Sequence, residues 1–292
     1  MMVVDAGGLV EQSKDITTVK HANNRVRYAN KPIKKSNRWC KKRRRRKVVF
    51  PRVREVVRLQ QLFVSCREIF KGHGTVPPAS DVNKLCNILD KMKPGDVGLS
   101  KNQFFKAAGA AIGTHPRVTY TTIYQCSEFS LCIFFLPEKA VIPLHNHPGM
   151  TVFSKLLLGT MHIKSYDWVD PKQSMPSSPM RLARLKANGV YTAPCDTSVL
   201  YPTTGGNMHE FKAMTPCAVL DVIGPPYSKQ DGRDCSYYKD HPYGDGETRA
   251  VREEEGECLG LGWLEEIQVP EEAEMDRIQY LGPQIIQNTT TC

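Results

Sequence analysis

The sequence predicts a mainly β fold, an antiparallel sandwich or barrel, with two helices packed against it and a basic arm in front. Three observations carry this. Short apolar runs alternate with Pro, Gly, Asp and Asn breakers through the second half of the chain. Two segments ahead of them repeat apolar residues at helical spacing. Positive charge is gathered near the N-terminus rather than spread over the chain.

The chain has 292 residues, 40% of them apolar. That is enough for a sizeable core in one large domain or two modest ones, and it excludes a fibrous or wholly disordered chain. The longest apolar run, Phe129 to Leu136, contains Ser130 and falls far short of the roughly 18 residues a membrane span needs. The first residues lack a cationic start followed by an apolar stretch, so a soluble, intracellular protein is expected. Ten cysteines are scattered without a CxxC pair, which argues against zinc modules and redox dithiols and for free thiols.

Residues 1–50 lack apolar periodicity, and the run KKRRRRK repels itself too strongly to pack; a disordered arm is expected there. Between Lys31 and Arg58, fourteen cations face Glu55 alone, a net of +13, so the rest of the chain carries −3 of the total +10. Such an arm suits a nuclear localisation signal or electrostatic contact with nucleic acid. Trp39 is the lone aromatic among the cations from Lys31 to Lys47, so base stacking has little support; localisation to the nucleus as well as the cytoplasm is favoured, with a solvated tail as the other alternative. Residues 51–98 read as the helical segment. Val56, Leu59, Leu62, Phe63, Cys66, Ile69 and Phe70 form the first stripe, ended by Gly72. Ser80 is the expected N-cap of a second helix carrying Val82, Leu85, Ile88 and Leu89, closed by Pro94-Gly95. Residues 99–282 are the β domain, with strands expected at TTIYQC, SLCIFFL, TVFSKLLL, MHIKSYDW, SVLYP, MHEFKA and AVLDVIG. Residues 283–292 read as a mobile tail.

The chemistry concentrates in VIPLHNHPGM. On a strand, His145 and His147 project from one face, with Cα atoms roughly 6.5–7 Å apart, close enough to converge on one metal. His209 follows Gly205-Gly206 and begins another short strand. Taken alone, HxH is also an ordinary surface pair. His73, His115, His162 and His241 are expected to be surface or structural histidines. Asp221 enters by register. If MHEFKA and AVLDVIG form a hairpin centred on Thr215, Asp221 faces His209 with Cβ atoms about 5 Å apart. It could then orient that imidazole or hold a substrate ammonium; a carboxylate facing water is the alternative.

The pair His145-x-His147, Gly159 after the next strand, and Gly206-x-x-His209 resemble the two cupin motifs. The resemblance implies a double-stranded β-helix barrel. Where many cupins place a metal-binding glutamate, this chain has Thr151 and Val152, neither of which replaces a carboxylate ligand. The wording HNHPGM, LLGTMHIKSYDW, GGNMHEF and DVIGPPY resembles the plant cysteine oxidases, thiol dioxygenases of the cupin superfamily, with cysteamine dioxygenases more distant. It spans about residues 50–280.

Imidazole suits several metals, so the ligands alone do not choose one; the resemblance implies Fe(II) held by His145, His147 and His209. It also implies transfer of both atoms of O2 to the N-terminal cysteine of proteins or peptides. The sulfinic acid product marks the chain for N-degron degradation, which makes the enzyme an oxygen sensor acting on hypoxia-response transcription factors. The family pattern further places a tyrosine and a cysteine near the iron, here Tyr227 and Cys235. Free cysteine or cysteamine as substrate, and a metal-binding cupin without turnover, are the alternatives. A free carboxylate would need a cation, for which Arg117, Arg181, Arg184 and Arg233 are available. A monomer, with no membrane or nucleic-acid partner, is expected.

Overall fold

The computed structural model describes residues 53–72, 76–99, 116–171, 179–243 and 260–287, with side chains from Arg58 onward. The basic arm, His73, His115 and the last five residues lie outside them. No helix among the described residues is long and apolar enough to cross a membrane.

Among the described residues two α-helices, α1 (Val53–Ile69) and α2 (Ala79–Leu89), precede twelve strands. In order these are β1 (Val118–Gln125), β2 (Ser130–Leu136), β3 (Val141–Asn146), β4 (Thr151–Leu158), β5 (Thr160–Trp168) and β6 (Met180–Thr192). There follow β7 (Ser198–Leu200), β8 (Met208–Ala213), β9 (Cys217–Gly224), β10 (Tyr237–Pro242), β11 (Leu261–Ile267) and β12 (Met275–Arg277). Six form an open sheet in the order β12-β1-β2-β9-β4-β7, and six close on themselves in the order β10-β11-β6-β5-β8-β3. The ring closes where Tyr237 pairs with His145. This is the mainly β barrel of the cupin kind that the sequence predicts.

The open sheet separates two packing layers. One face carries Leu131, Ile133 and Phe135 of β2, Phe153 and Leu157 of β4, and Leu220 and Val222 of β9. These bury the apolar stripes of α1 and α2, including Leu59, Leu62, Phe63, Cys66, Leu85 and Leu89. The opposite face carries Leu136, Leu156 and Val219, which meet Ile142, Met161 and Phe211 of the closed sheet. Strands β4 and β9 are therefore covered on both sides, which is why TVFSKLLL and AVLDVIG read as near-continuous apolar runs rather than alternating ones. The end of α1 sits so close to β9 that a Cβ on Gly224 would lie 2.2 Å from the Phe70 ring.

Three local expectations need correction. Helix α2 begins at Ala79 with Pro78 at the N-cap and no side-chain cap bond, not with Ser80 as cap. The extended backbone of Pro78 sets the entry instead, and its carbonyl accepts the N–H groups of Asp81 and Val82. The helix also stops at Leu89, and Pro94–Val97 forms a separate 3-10 turn. Third, β8 and β9 are not a hairpin. Strand β8 pairs with β3 and β5, whereas β9 pairs with β2 and β4. The Met214–Pro216 connection crosses from one sheet to the other. Gly159 lies against that crossover with φ of +90°, and a Cβ there would meet the Pro216 carbonyl oxygen at 2.3 Å.

Candidate metal centre

The site lies between the two sheets, in a cavity of about 440 Å³. Two of its histidines come from the closed sheet and the third from the turn that follows β3. His145 lies near the end of β3 and pairs with His209 of β8, so both side chains share one face. Strand β3 ends at Asn146, which leaves His147 one step beyond it, at the start of a turn through Pro148 and Gly149. The three ring centroids stand 4.8 to 4.9 Å apart, and one ligand atom from each lies within 4.8 Å of the others. Among the described residues this is the one group of three or more His, Cys, Asp or Glu side chains able to hold an ion. His162 and His241 lie outside the cavity, the latter paired with Glu265.

Protein hydrogen bonds turn two of these rings in a defined sense. His145 Nδ1 lies 2.8 Å from the Pro143 carbonyl oxygen, so it carries the proton and donates. Tyr227 donates its hydroxyl proton to the Asn146 carbonyl oxygen at 2.8 Å, leaving its oxygen to accept from His147 Nδ1 at 2.9 Å. Both Nε2 atoms are thus free to bind a metal. The Nε2 atoms of His147 and His209 approach to 3.0 Å, where a shared proton or an ion must mediate. Burial lowers the pKa of all three imidazoles, and for His147 and His209 the neighbouring histidines lower it further. Three neutral, inward-turned nitrogens fit a dication, and imidazole suits Fe, Zn, Cu or Ni. Thr151 and Val152 are buried and bring no carboxylate to the set.

The facing wall belongs to the open sheet. Asp221 sits at the centre of β9, paired across the ladder with Cys132 of β2 and Ser154 of β4. It lines the cavity, as expected, but from the wall opposite His209 rather than beside it. The Ser154 hydroxyl donates to the carboxylate, while Oδ1 is buried without a partner. Burial pushes its pKa up to about 7, with the Ser154 bond pulling the other way.

Tyr227 and Cys235 line the same cavity, and Cys235 is within hydrogen-bond reach of both Tyr227 and Tyr237. Burial raises the pKa of all three, so they stay protonated at neutral pH. None of the four arginines considered for a substrate carboxylate lines the cavity. Arg117 pairs with Glu274 and Asp276, Arg181 lies over the Trp168 ring, and Arg233 bonds Asp231 and the Pro226 carbonyl. The sequence reading missed Tyr237, Ser154 and Asn207. Only Asn207, between the glycine pair and His209, stood beside a recognised motif.

A closed sheet offering three histidines to a cavity walled by an open sheet defines a cupin-type metal pocket. Comparison with known proteins goes further: the PCO_ADO family model matches residues 88–285, and the chain belongs to that family of thiol dioxygenases. It is 49% identical over 260 residues to plant cysteine oxidase 2 of Arabidopsis thaliana, covering 88% of this chain and 91% of that protein. It is 48% identical to plant cysteine oxidase 1 of the same plant, over 76% of this chain and 78% of that protein. It is 37% identical to 2-aminoethanethiol dioxygenase of Mus musculus, over 42% of this chain and 55% of that protein. Among solved structures, an RmlC-like cupin from Shewanella frigidimarina aligns with a TM-score of 0.29 and 16% identity, over 41% of this chain and 84% of that one.

Proposed function

We propose that this thiol dioxygenase holds Fe(II) on His145, His147 and His209 and oxidises the N-terminal cysteine of proteins or peptides to its sulfinic acid. One observation carries the substrate choice: the cavity has a buried carboxylate, Asp221, whose Oδ1 has no partner, and no lysine or arginine among the described residues that line it. An α-ammonium finds a partner there. A free α-carboxylate finds none, and leaving it unpaired in a buried site is costly. A peptide N-terminus, whose carboxyl is an amide, and cysteamine both fit; free cysteine fits poorly. The similarity to proteins named plant cysteine oxidases supports a cysteine-bearing substrate, which favours the peptide over cysteamine.

The reaction combines R–SH with O2 to give R–SO2H, so atoms balance without a further reductant. Bound iron would supply the Lewis acid and the electrons through which sulfur and dioxygen meet. The chain's own residues do the rest. Asp221 accepts from the substrate ammonium across the cavity from the histidines. Tyr227 fixes the His147 ring, and Cys235 with Tyr237 shapes the adjoining wall. Phe211, Ile142 and Phe134 keep water from the reacting sulfur.

Sulfinic acids are not reduced by ordinary thiols. The product is therefore a committed mark, consistent with a degradation signal written at a rate set by oxygen on hypoxia-response transcription factors. We assign residence in both nucleus and cytoplasm to the basic run from Lys41 to Lys47. Mass spectrometry of a Cys-initiated peptide after aerobic incubation with the Fe(II)-loaded protein tests the reaction. A gain of about 32 Da, two oxygen atoms, is expected. An unmodified peptide together with oxidised cysteamine would move the assignment to the small thiol, and no oxidation of either would overturn it.

A further inference from the structure

We propose that Asn207 is the positioning residue that holds His147 in ligating geometry, and that Asp167 holds Asn207. This rests on the reading of the three histidines as metal ligands. His147 has a difficulty that His145 and His209 do not. It lies beyond the last residue of β3, so the sheet ladder no longer serves its backbone N–H and C=O. The pairing of Asn146 with Met208 is the final regular one, and Asn207 stands one step further along the same register.

Its side chain takes over the ladder's role. Asn207 Nδ2 donates to the His147 carbonyl oxygen at 2.8 Å, and Oδ1 accepts from the His147 N–H at 3.3 Å. The second Nδ2 proton goes to the Tyr201 carbonyl oxygen, also at 2.8 Å. An amide is required here, because one group must both donate and accept within the same pair. Asn207 is itself fixed: Asp167 Oδ1 accepts from the N–H of Gly206 and of Asn207, each at 2.9 Å. Asp167, Asn207 and His147 are all buried. Gly206 permits the approach, since its φ is +83° and a Cβ would meet Ser165 Oγ at 2.5 Å. The same segment leads directly into His209. Asp167 on β5 therefore sets the position of two of the three ligands through the backbone, while Tyr227 sets the His147 ring from the other side.

The test titrates Co(II) into the metal-free full-length protein and reads both affinity and the Co(II) absorption spectrum. Asn207→Asp is nearly isosteric but places a carboxylate oxygen against two carbonyls, and Asn207→Ala removes the clamp. Both should fold, as judged by circular dichroism, and bind Co(II) at least about tenfold more weakly with an altered spectrum. Asp167→Ala should weaken binding several-fold, whereas Asp167→Asn, whose amide oxygen still accepts both N–H groups, should restore it. Wild-type affinity and spectrum in a folded Asn207 variant would overturn the proposal. Should neither Asn207 variant fold, equal Co(II) affinity in Asp167→Ala and wild type would overturn it instead. Failure of the wild-type protein to bind Co(II) would be a different result, removing the metal-site reading itself.

Discussion

Replacing Asp221 with asparagine separates what the carboxylate costs the fold from what it does in the cavity. Burial raises the Asp221 pKa from its ordinary value of 3.8 to about 7. The folded protein therefore holds that proton more tightly than the unfolded chain does. Below about pH 4 the group is protonated in both states and costs nothing. As pH rises from about 4 to 7 the unfolded chain ionises while the folded one does not, so stability falls. Above about 7 both are ionised and the cost is constant. Each pH unit well inside the window is worth about 1.4 kcal/mol, and the slope halves as the folded group itself begins to ionise near 7, so between pH 5 and pH 7 the metal-free protein should lose ~2.3 kcal/mol through this group alone. The amide that replaces it does not titrate. In urea denaturation of the two metal-free proteins, the stability difference should shift toward Asp221→Asn by about 2 to 3 kcal/mol between pH 5 and pH 8, whatever the amide contributes at any one pH. The same variant should retain its metal and lose most turnover on a Cys-initiated peptide. A pH-independent difference would show that the carboxylate has a partner or water access. Wild-type turnover would remove Asp221 from substrate binding.

Three further outcomes rest on the geometry and a fourth on the charge pattern of the sequence. His209→Ala should lose most metal by elemental analysis, yet keep its fold, because the apolar cores do not depend on that ring; full occupancy would break the ligand assignment. Tyr227→Phe leaves His147 Nδ1–H buried without an acceptor, a cost of about 1–3 kcal/mol, and should lower Co(II) affinity while slowing turnover less than Asp221→Asn does. Gly159→Ala combines positive φ with a Cβ 2.3 Å from the Pro216 carbonyl oxygen, and should destabilise by about 3 kcal/mol or more in thermal melts. Changing Arg43 to Arg46 together to alanine should deplete a nuclear pool seen by microscopy without altering turnover in solution; an unchanged distribution would refute the localisation reading.

What the sequence showed depended on how local the information was. The runs that became β2, β4 and β9 were legible because sheets covered on both faces need uninterrupted apolar residues. The grouping of His145, His147 and His209 was legible because HxH and the Gly205-Gly206 turn are short-range patterns. Strand β6 was not, since MRLARLKANGVYT mixes cations and a glycine into a half-exposed strand whose partners lie in β5 and β11. Strands β10 and β12, YYKDHP and MDR, are short and carry charged residues, so they too gave no strand pattern. The Asp221 expectation placed the right residue in the cavity by the wrong route. MTP reads as a turn either way; whether the chain then returns beside itself or crosses to the facing sheet is decided by the ladders with β2 and β4, far away in sequence. The role of Asn207 was hidden in the same manner, because its partner His147 lies 60 residues earlier.

The crossover has a chemical consequence that a hairpin would not have had. Beside His209 on one sheet, Asp221 would have competed for the metal or bonded an imidazole. Placed on the opposite wall, it stands apart from the three histidines that could hold an ion and presents its charge across the cavity. That position is also the costliest available, for every residue of β9 is buried and nothing but Ser154 compensates the charge. Stability alone would favour an apolar side chain there, as at Leu220 and Val222 on either side. Among the described residues that line the cavity there is no lysine or arginine, and one carboxylate oxygen is idle, so the proposed function gives Asp221 a partner that arrives with the substrate. On the proposed function, a primary ammonium on a thiol-bearing chain end would supply that charge without bringing a carboxylate of its own.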